Sequence, residues 1–577
     1  MHRAKLTSIL LGASLLPLAA PALHAETAPA SLAASATYRD LTILPGQIPA
    51  AAPGRLLTLT VDGVERPLAP GRYTGAVALS VTDDIPVKYH ELPEHHFRAA
   101  AYVEDGQLVV AKSVLPALSA HAVIGNGVLS GASIASEGER FNGIIVAGKG
   151  AYRIDHPVID LVGNGGNDFA GFGAAITAKG EADLTIDRPI IRTHGAIRTA
   201  LFVGGHATVH VNDAEIEVIN GTLPADYKFT VDIGKMMEVP WMLGMTGNVR
   251  ATNLVDYGTV YYNRSHIRAQ GWGAASTDDN TRVRMFVNDS LVETIESGYG
   301  CYSIGDSVDT FTHSIVRAAD VGCIMAANGS VTFSEGTRVQ SGRYGVMMHS
   351  GAGGGTLLID KGSELAAAST AIEVKGIGTT IRVDGASLRA GNGILLQSMD
   401  NDDPFLVALM SGHLPEGMTA MPPGMGPDGD HADKKGPQPD PDVVASFRNT
   451  SLAGDMYNAR PKGSAMRLSF EGAAITGRLS TATAAPATGT APTRATYREI
   501  GHVVNTAQPV PGGKGLSVAL DGTSQWTVTG TSYLTELKLA PGAKLLAAQG
   551  KLALSVNGRK VAVRPGTYSG AITVALD

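Results

Sequence analysis

Four side chains able to move protons recur at related places in a repeating pattern. Tyr302, His349, Glu373 and Lys375 lie in or just after short apolar segments that follow a small residue: Gly300-Cys301-Tyr302-Ser303, Gly345-Val346-Met347-Met348 and Ala371-Ile372-Glu373-Val374. If these segments are strands, alternate residues face opposite sides. Tyr302, His349, Glu373 and Lys375 then share one outer face, and Cys301, Cys323, Val346, Ile372 and Ile394 point inward. Histidine titrates near neutrality. A lysine that is desolvated or paired with a carboxylate can act as a base. Asp278 and Asp279 end the strand one repeat before Tyr302, and Asp306 ends the next.

Two chemistries suit this set. Glycoside hydrolysis uses paired carboxylates, for which Asp278, Asp279 and Asp306 are the nearest group. Elimination beside a uronate needs a base, an acid and a cation to neutralise the carboxylate. Lys375 or His349 would be the base and Tyr302 the acid. Arg250, or a divalent cation such as calcium, would be the neutraliser, and the pattern assigns no metal ligands. The plain alternative is a set of ordinary polar residues on a half-solvated sheet.

Candidate binding residues form two further groups. Trp272, Tyr299 and Tyr344 stand just before successive strands, with Val321 in the remaining repeat. They read as a platform for sugar rings, or as a stack that stiffens the chain. The second group comprises Asp226, Tyr227, Lys228, Asp232, Trp241 and Arg250, with Asn167-Asp168-Phe169 in a Gly-rich loop and His194 and Arg198 before a strand. These could wall a groove. Equally, Asn and Asp favour turns and a tryptophan packs.

The elements that must position these residues are short strands. Segments of the same kind begin at Gly273, Gly300, Gly322, Gly345, Ala371 and Gly393, at intervals of about 22 to 27 residues, which is a solenoid signature. Each is followed by a second strand, such as Val331-Thr332-Phe333 or Leu357-Leu358-Ile359, and a third, such as Ser387-Leu388-Arg389. Three strands per turn describe a parallel β-helix with about ten rungs, on the order of 50 Å long. The two cysteines, Cys301 and Cys323, fall one rung apart. They are either a disulfide or stacked buried thiols, and neither reading makes a catalytic or zinc-binding cysteine. The Asn220–Val239 insertion should project as a loop.

Composition agrees with an all-β chain: 70 glycines among 577 residues, with charged residues at 17% and aromatics at 5%. A net charge of −7 without a clustered basic face excludes a nucleic-acid footprint. Residues 1–25 carry His2, Arg3 and Lys5, then an apolar run ending at Ala25, and read as a secretory signal peptide. No later run is long enough to span a membrane. Residues 26–120 form an N-terminal β module, 121–400 the parallel β-helix core, and 401–442 a flexible insertion rich in Met, Pro and Gly. Residues 443–548 continue the β-helix around a low-complexity insertion. Residues 549–577 form a C-terminal module that repeats 57–81: Asp62-Gly63 matches Asn557-Gly558, Pro70-Gly71 matches Pro565-Gly566, and Tyr73-Thr74-Gly75 matches Tyr568-Ser569-Gly570. Such modules would cap the open ends of a solenoid. His90, His95 and His96 match no zinc spacing and read as a solvent-exposed loop.

The strands and turns of Ile124–Gln397 resemble the right-handed parallel β-helix proteins of the pectate-lyase-like superfamily. Trp526–Leu534 and the terminal repeats look like secreted bacterial β-helix and surface proteins. The spaced motifs of polygalacturonases are absent, Thr277-Asp278-Asp279 being too short to stand for them, as is an aspartate set of the pectate lyase kind. The resemblance implies a secreted polysaccharide lyase or glycoside hydrolase with a groove on the outer face of the coil. The alternatives are a non-catalytic surface or adhesion protein, and an enzyme acting on a non-sugar small molecule in a pocket under residues 220–239.

Overall fold

A computed structural model describes residues 26–349, 354–420, 441–460, 463–509 and 515–577. The signal-peptide assignment on 1–25 and the 421–440 part of the insertion lie outside the described residues. The chain is all-β and winds as a parallel β-solenoid with three long sheets stepping in register. Each turn passes from a first sheet (Tyr299–Ile304, for example) to a second (Val308–Thr312), a third (Ile315–Ala318) and back to the first (Val321–Ala326).

The corner between the second and third sheets shows how the sequence makes the coil. It is turned by one residue in the left-handed region, with φ of 49° at His156, 50° at Arg188, 54° at Asp213, 50° at Arg264 and 50° at Asp289. For a residue with a Cβ that conformation costs roughly 1–2 kcal/mol. Side-chain ladders beside the corner offset the cost. Asn263 donates to Asn212 at 2.9 Å and Asn288 to Asn263 at 3.0 Å. The backbone N–H of Ser265 donates to Ser290 Oγ at 2.9 Å, and that of Ser290 to Ser314 Oγ at 3.1 Å.

The exposed faces are ordered as well. Along the third sheet Asp160, Arg192, Glu217, Arg268, Glu293 and Arg317 pair in register, alternating in sign. On the second sheet His210 stacks on Tyr261 at 4.7 Å, and Tyr261 on Phe286 at 4.7 Å. These rings spend their faces on one another, so they form no open platform for sugars.

Burial separates the first sheet from the other two. Strands of the second and third sheets alternate between buried and partly exposed residues, as in Val308–Thr312 and Arg338–Ser341. In the first sheet Gly273–Thr277, Val321–Ala326 and Tyr344–Met348 are buried at every position. The sequence places its outward side chains either along a substrate groove on the outer face or on a half-solvated sheet. Insertions cover them instead: the segment after Glu215–Ile219, the segment after Ile394–Met399 with its helix Pro404–Met410, and the segment around Arg494–Glu499. The 220–239 insertion therefore folds back over the sheet.

Two details differ from the sequence expectations, and the open alternative for the cysteines falls to the stacked thiols. Ile372 pairs with Leu396, and Glu373 with Gln397. The last repeat is thus shifted by two residues, with Leu396 rather than Ile394 in the inward column. Parallel pairing in the first sheet begins with His95–Glu104 against Phe141–Ala147, ahead of Ile124. His95 and His96 therefore open a strand, and the His95 ring stacks on Phe172 at 5.0 Å. Cys301 and Cys323 pair in register as free, buried thiols.

The terminal modules are structural copies. Arg55–Val61, Val64–Arg66 and Gly71–Asp83 form an antiparallel unit, as do Leu552–Val556, Arg559–Val561 and Gly566–Leu576. Asp62 (φ 49°) and Asn557 (φ 50°) make the same turn. Their Oδ1 atoms accept from Ala76 N at 2.8 Å and Ala571 N at 2.9 Å. The likeness extends to a further strand, Ala36–Ile43 in one and Ser532–Leu539 in the other, each pairing antiparallel through a bulge. The first module joins the coil through Val64–Arg66 and the last through Ser532–Leu539. The last leaves Arg559–Val561 as a basic, exposed sheet edge, a composition that discourages edge-to-edge pairing.

Candidate functional site

The first sheet and the segments folded over it bound a half-open cavity of about 540 Å³, within the roughly 300–1,000 Å³ usual for small-molecule sites. Its floor is the outward column of the sheet. Its roof is apolar: Val231, Ile233 and Met236 from the 220–239 insertion, Leu243 just after it, and Phe405 and Leu406 from the helix after the coil strand Ile394–Met399.

One end of the floor is a buried ion triad. Arg250 is fully buried, and its Nε donates to Asp168 Oδ2 at 2.7 Å. Its Nη1 is bonded to Asp278, and Nη2 has no partner. The guanidinium lies 4.7 Å from the Phe169 ring centre and 4.8 Å from that of Trp272. Burial pulls the guanidinium pKa down, but Asp168 and Asp278 more than offset that and the net shift is upward. Asp278 is raised, chiefly by burial and against the pull of Arg250. Tyr299 adjoins the triad, with its hydroxyl 2.8 Å from Ser276 Oγ and its ring 5.3 Å from Tyr302. Burial first, and then the charge of Asp278, hold the Tyr302 phenol well above the ordinary tyrosine value. It therefore stays protonated at neutral pH.

The other end is His349 with Asp403. Their Nε2 and Oδ2 atoms lie 2.8 Å apart, off the line a hydrogen bond requires. Asp403 Oδ1 caps the Pro404–Met410 helix by accepting from Phe405 N at 2.8 Å. Ile304 and Ala326, paired in register, lie in the cavity floor between the two ends.

The structure thus brings Asp168, Arg250, Trp272, Asp278, Tyr299, Tyr302 and His349 together, uniting the outer-face set with the upstream set. The remaining candidates lie elsewhere. Lys375 and Glu373 are fully buried, with Lys375 Nζ 2.5 Å from Asp402 Oδ1 and 3.3 Å from Glu373 Oε1. Burial raises Glu373 to about 7, against the opposing charge of Lys375. Tyr344 donates to the carbonyl of Ile500 at 2.9 Å and so anchors the covering segment. Trp241 is buried in a short 3₁₀ turn beside the cavity wall. Arg198 is buried near the N-terminal module, donating to the carbonyls of Gly138 and Asn164 at 3.2 Å each.

Asp279 accepts from Asp256 N at 2.8 Å, and His90 Nε2 is 3.0 Å from Asp256 Oδ1. Among the described residues these three form the one group of at least three His, Cys, Asp or Glu side chains whose ligand atoms lie within 4.8 Å of one another. Two carboxylates and an imidazole fall short of the 6–8 oxygens calcium takes, so the set does not fit that ion.

Sequence reasoning missed Asp403, Asn280 and the apolar roof. The Asp-Pro pair at 403–404 is a helix-start signal. The unbroken apolar runs Val321–Ala326 and Tyr344–Met348 are the mark of strands buried on both faces. Comparison with family models, with curated proteins and with solved structures finds no match to this chain.

Proposed function

We propose that this protein is an enzyme acting on a compact small molecule held between the first sheet and its roof. The observation that carries the proposal is the convergence of Arg250, Tyr302 and His349 on one covered cavity of about 540 Å³. The covered face supports a compact ligand over an extended polysaccharide chain, which needs a groove open at both ends. Arg250 is already bonded to two carboxylates, so it is a poor neutraliser for a uronate. The three-sheet coil supports a place within the pectate-lyase-like architecture, but that architecture hosts many chemistries, and function has to be argued from the site. The first 25 residues support export.

The geometry suits proton transfer. A carboxylate beside an imidazole favours the imidazolium formed when the ring takes a proton, so His349, with Asp403 2.8 Å away, serves as the base. Tyr302, kept protonated, returns a proton to the departing or developing oxygen. Arg250, held between Asp168 and Asp278, fixes the floor at this end of the cavity.

The test is incubation of the purified protein with a small-metabolite mixture and, separately, with acidic and neutral polysaccharides, both followed by mass spectrometry. Depletion of a small molecule, slowed at least about 100-fold in Tyr302→Phe as expected for loss of a general acid, supports the proposal. Depolymerisation with the small molecules untouched would refute it.

A further inference from the structure

A second buried set of titratable groups takes no part in the cavity. Lys375 stands just after the strand Ile372–Val374, and Asp402 follows Ile394–Met399, 27 residues further on. Lys375 Nζ is 2.5 Å from Asp402 Oδ1, which sets the amine beside the carboxyl carbon that carries that oxygen. The backbone N–H of Gly501 donates to the other oxygen, Oδ2, at 2.7 Å. Glu373 completes the set. Its Oε1 is 3.3 Å from Nζ, both its oxygens are buried without a hydrogen-bond partner, and neither its side chain nor that of Lys375 is exposed.

Burying an ammonium with two carboxylates is costly, and pairing alone does not fully repay it. At rest the proton sits on Lys375: burial lowers its pKa, but Asp402 and Glu373 outweigh burial and the net shift is upward. Passing that proton to Asp402 neutralises both partners, which a dry site favours. An amine and a carboxyl group held in contact react as though at very high concentration. The groups around them suit acyl transfer. The Gly501 N–H is fixed on the oxygen where negative charge develops. Glu373, raised by burial to about 7, takes and returns a proton near neutral pH.

We propose that Lys375 and Asp402 join as an intramolecular amide, with Glu373 as the proton carrier. Lys375 Nζ, as the free amine, attacks Cγ of the protonated Asp402 carboxyl. The N–C bond forms, Glu373 carries one proton from Nζ to Oδ1, the Cγ–Oδ1 bond breaks and one water leaves. Oδ2 stays as the amide oxygen on the Gly501 N–H. No oxidant, reductant or co-reactant is consumed. The bond ties the segment that leads into the Pro404–Met410 helix to the first sheet, as a disulfide would, in a chain whose two cysteines are free.

The test is peptide mapping of the purified full chain by mass spectrometry, with trypsin, which cuts between the two residues at Arg382 and Arg389. The expected result is a branched peptide that contains both Lys375 and Asp402 and is lighter than its two parts by one water. Lys375→Met should yield none. Glu373→Gln should form it at least about 100-fold more slowly, leaving separate peptides in samples taken at equal times after synthesis. Wild type that yields only the separate peptides, or that loses water within the Asp402 peptide alone, overturns the proposal whatever the variants do. Equal linkage in Glu373→Gln overturns the role given to Glu373.

Discussion

Asp168 and Arg250, 82 residues apart, are joined by a 2.7 Å hydrogen bond from Nε to Oδ2 inside the cavity wall. The link ties a corner loop to the strand region that follows the 220–239 insertion, and so sets where the floor of the cavity begins.

Removing one partner of a buried ion cluster leaves an uncompensated charge and costs about 3–5 kcal/mol. Asp168→Ala should lower unfolding stability by that order, read as a shift in the urea midpoint. Asp306→Ala, at an exposed position, should stay within about 0.5 kcal/mol.

Asp309 is fully buried inside the coil, accepting from Thr277 Oγ1 at 3.0 Å, and burial raises it from 3.8 to about 7. A folded pKa raised above the unfolded one means that stability is fully present below about pH 4 and is lost as pH rises toward 7. Asp309→Asn removes the titration. The two proteins should differ little in their pH 4 behaviour, and the variant should gain on the order of 2–4 kcal/mol relative to wild type by pH 8. Parallel denaturation curves across that range check this.

Asp403 serves both the helix and His349. Asp403→Ala should cost about 1–2 kcal/mol through the lost cap. It should also speed hydrogen exchange across residues 404–410, opening the roof. Asp403→Asn keeps an acceptor for the cap and should preserve exchange protection while lowering activity.

Asp62 and Asn557 make the same turn and the same bond in the two terminal modules. Alanine at either position loses the bond and is strained at positive φ, a cost of about 1–2 kcal/mol each. Similar losses at the two sites in denaturation are the expected outcome. A loss at only one would show that the modules carry load differently.

Cys301 and Cys323 are buried and unbonded to each other. Burial first, then its neighbours, raise the Cys301 thiol well above its usual value. A thiol reagent should find none reactive in the native protein and two in denaturant. None in denaturant would mean a disulfide.

The coil was legible because one period recurs: small residue, apolar strand, turn. The duplicated module was legible from its matched Asp62-Gly63 and Asn557-Gly558 turns. The roof was not, because alternation assigns a side to each residue without saying what covers that side. Alternation places Tyr302 and His349 on the outer face, and Asp278 ends a repeat strand, but Asp403 reaches His349 from an insertion whose path no repeat encodes. Lys375 and Glu373 look alike in sequence to His349, but Asp402 and the covering segment around Gly501 seal them into a separate buried cluster.

The most direct test of the account compares wild type with Ile304→Trp, a substitution that fills the cavity floor and touches none of the polar groups. Both are given the same small-molecule mixture and the same polysaccharides, and consumption is followed by mass spectrometry. The account predicts that wild type consumes a small molecule, that Ile304→Trp does not, and that the polysaccharides survive both. Equal consumption by the two proteins, or polysaccharide cleavage indifferent to Ile304→Trp, would contradict it.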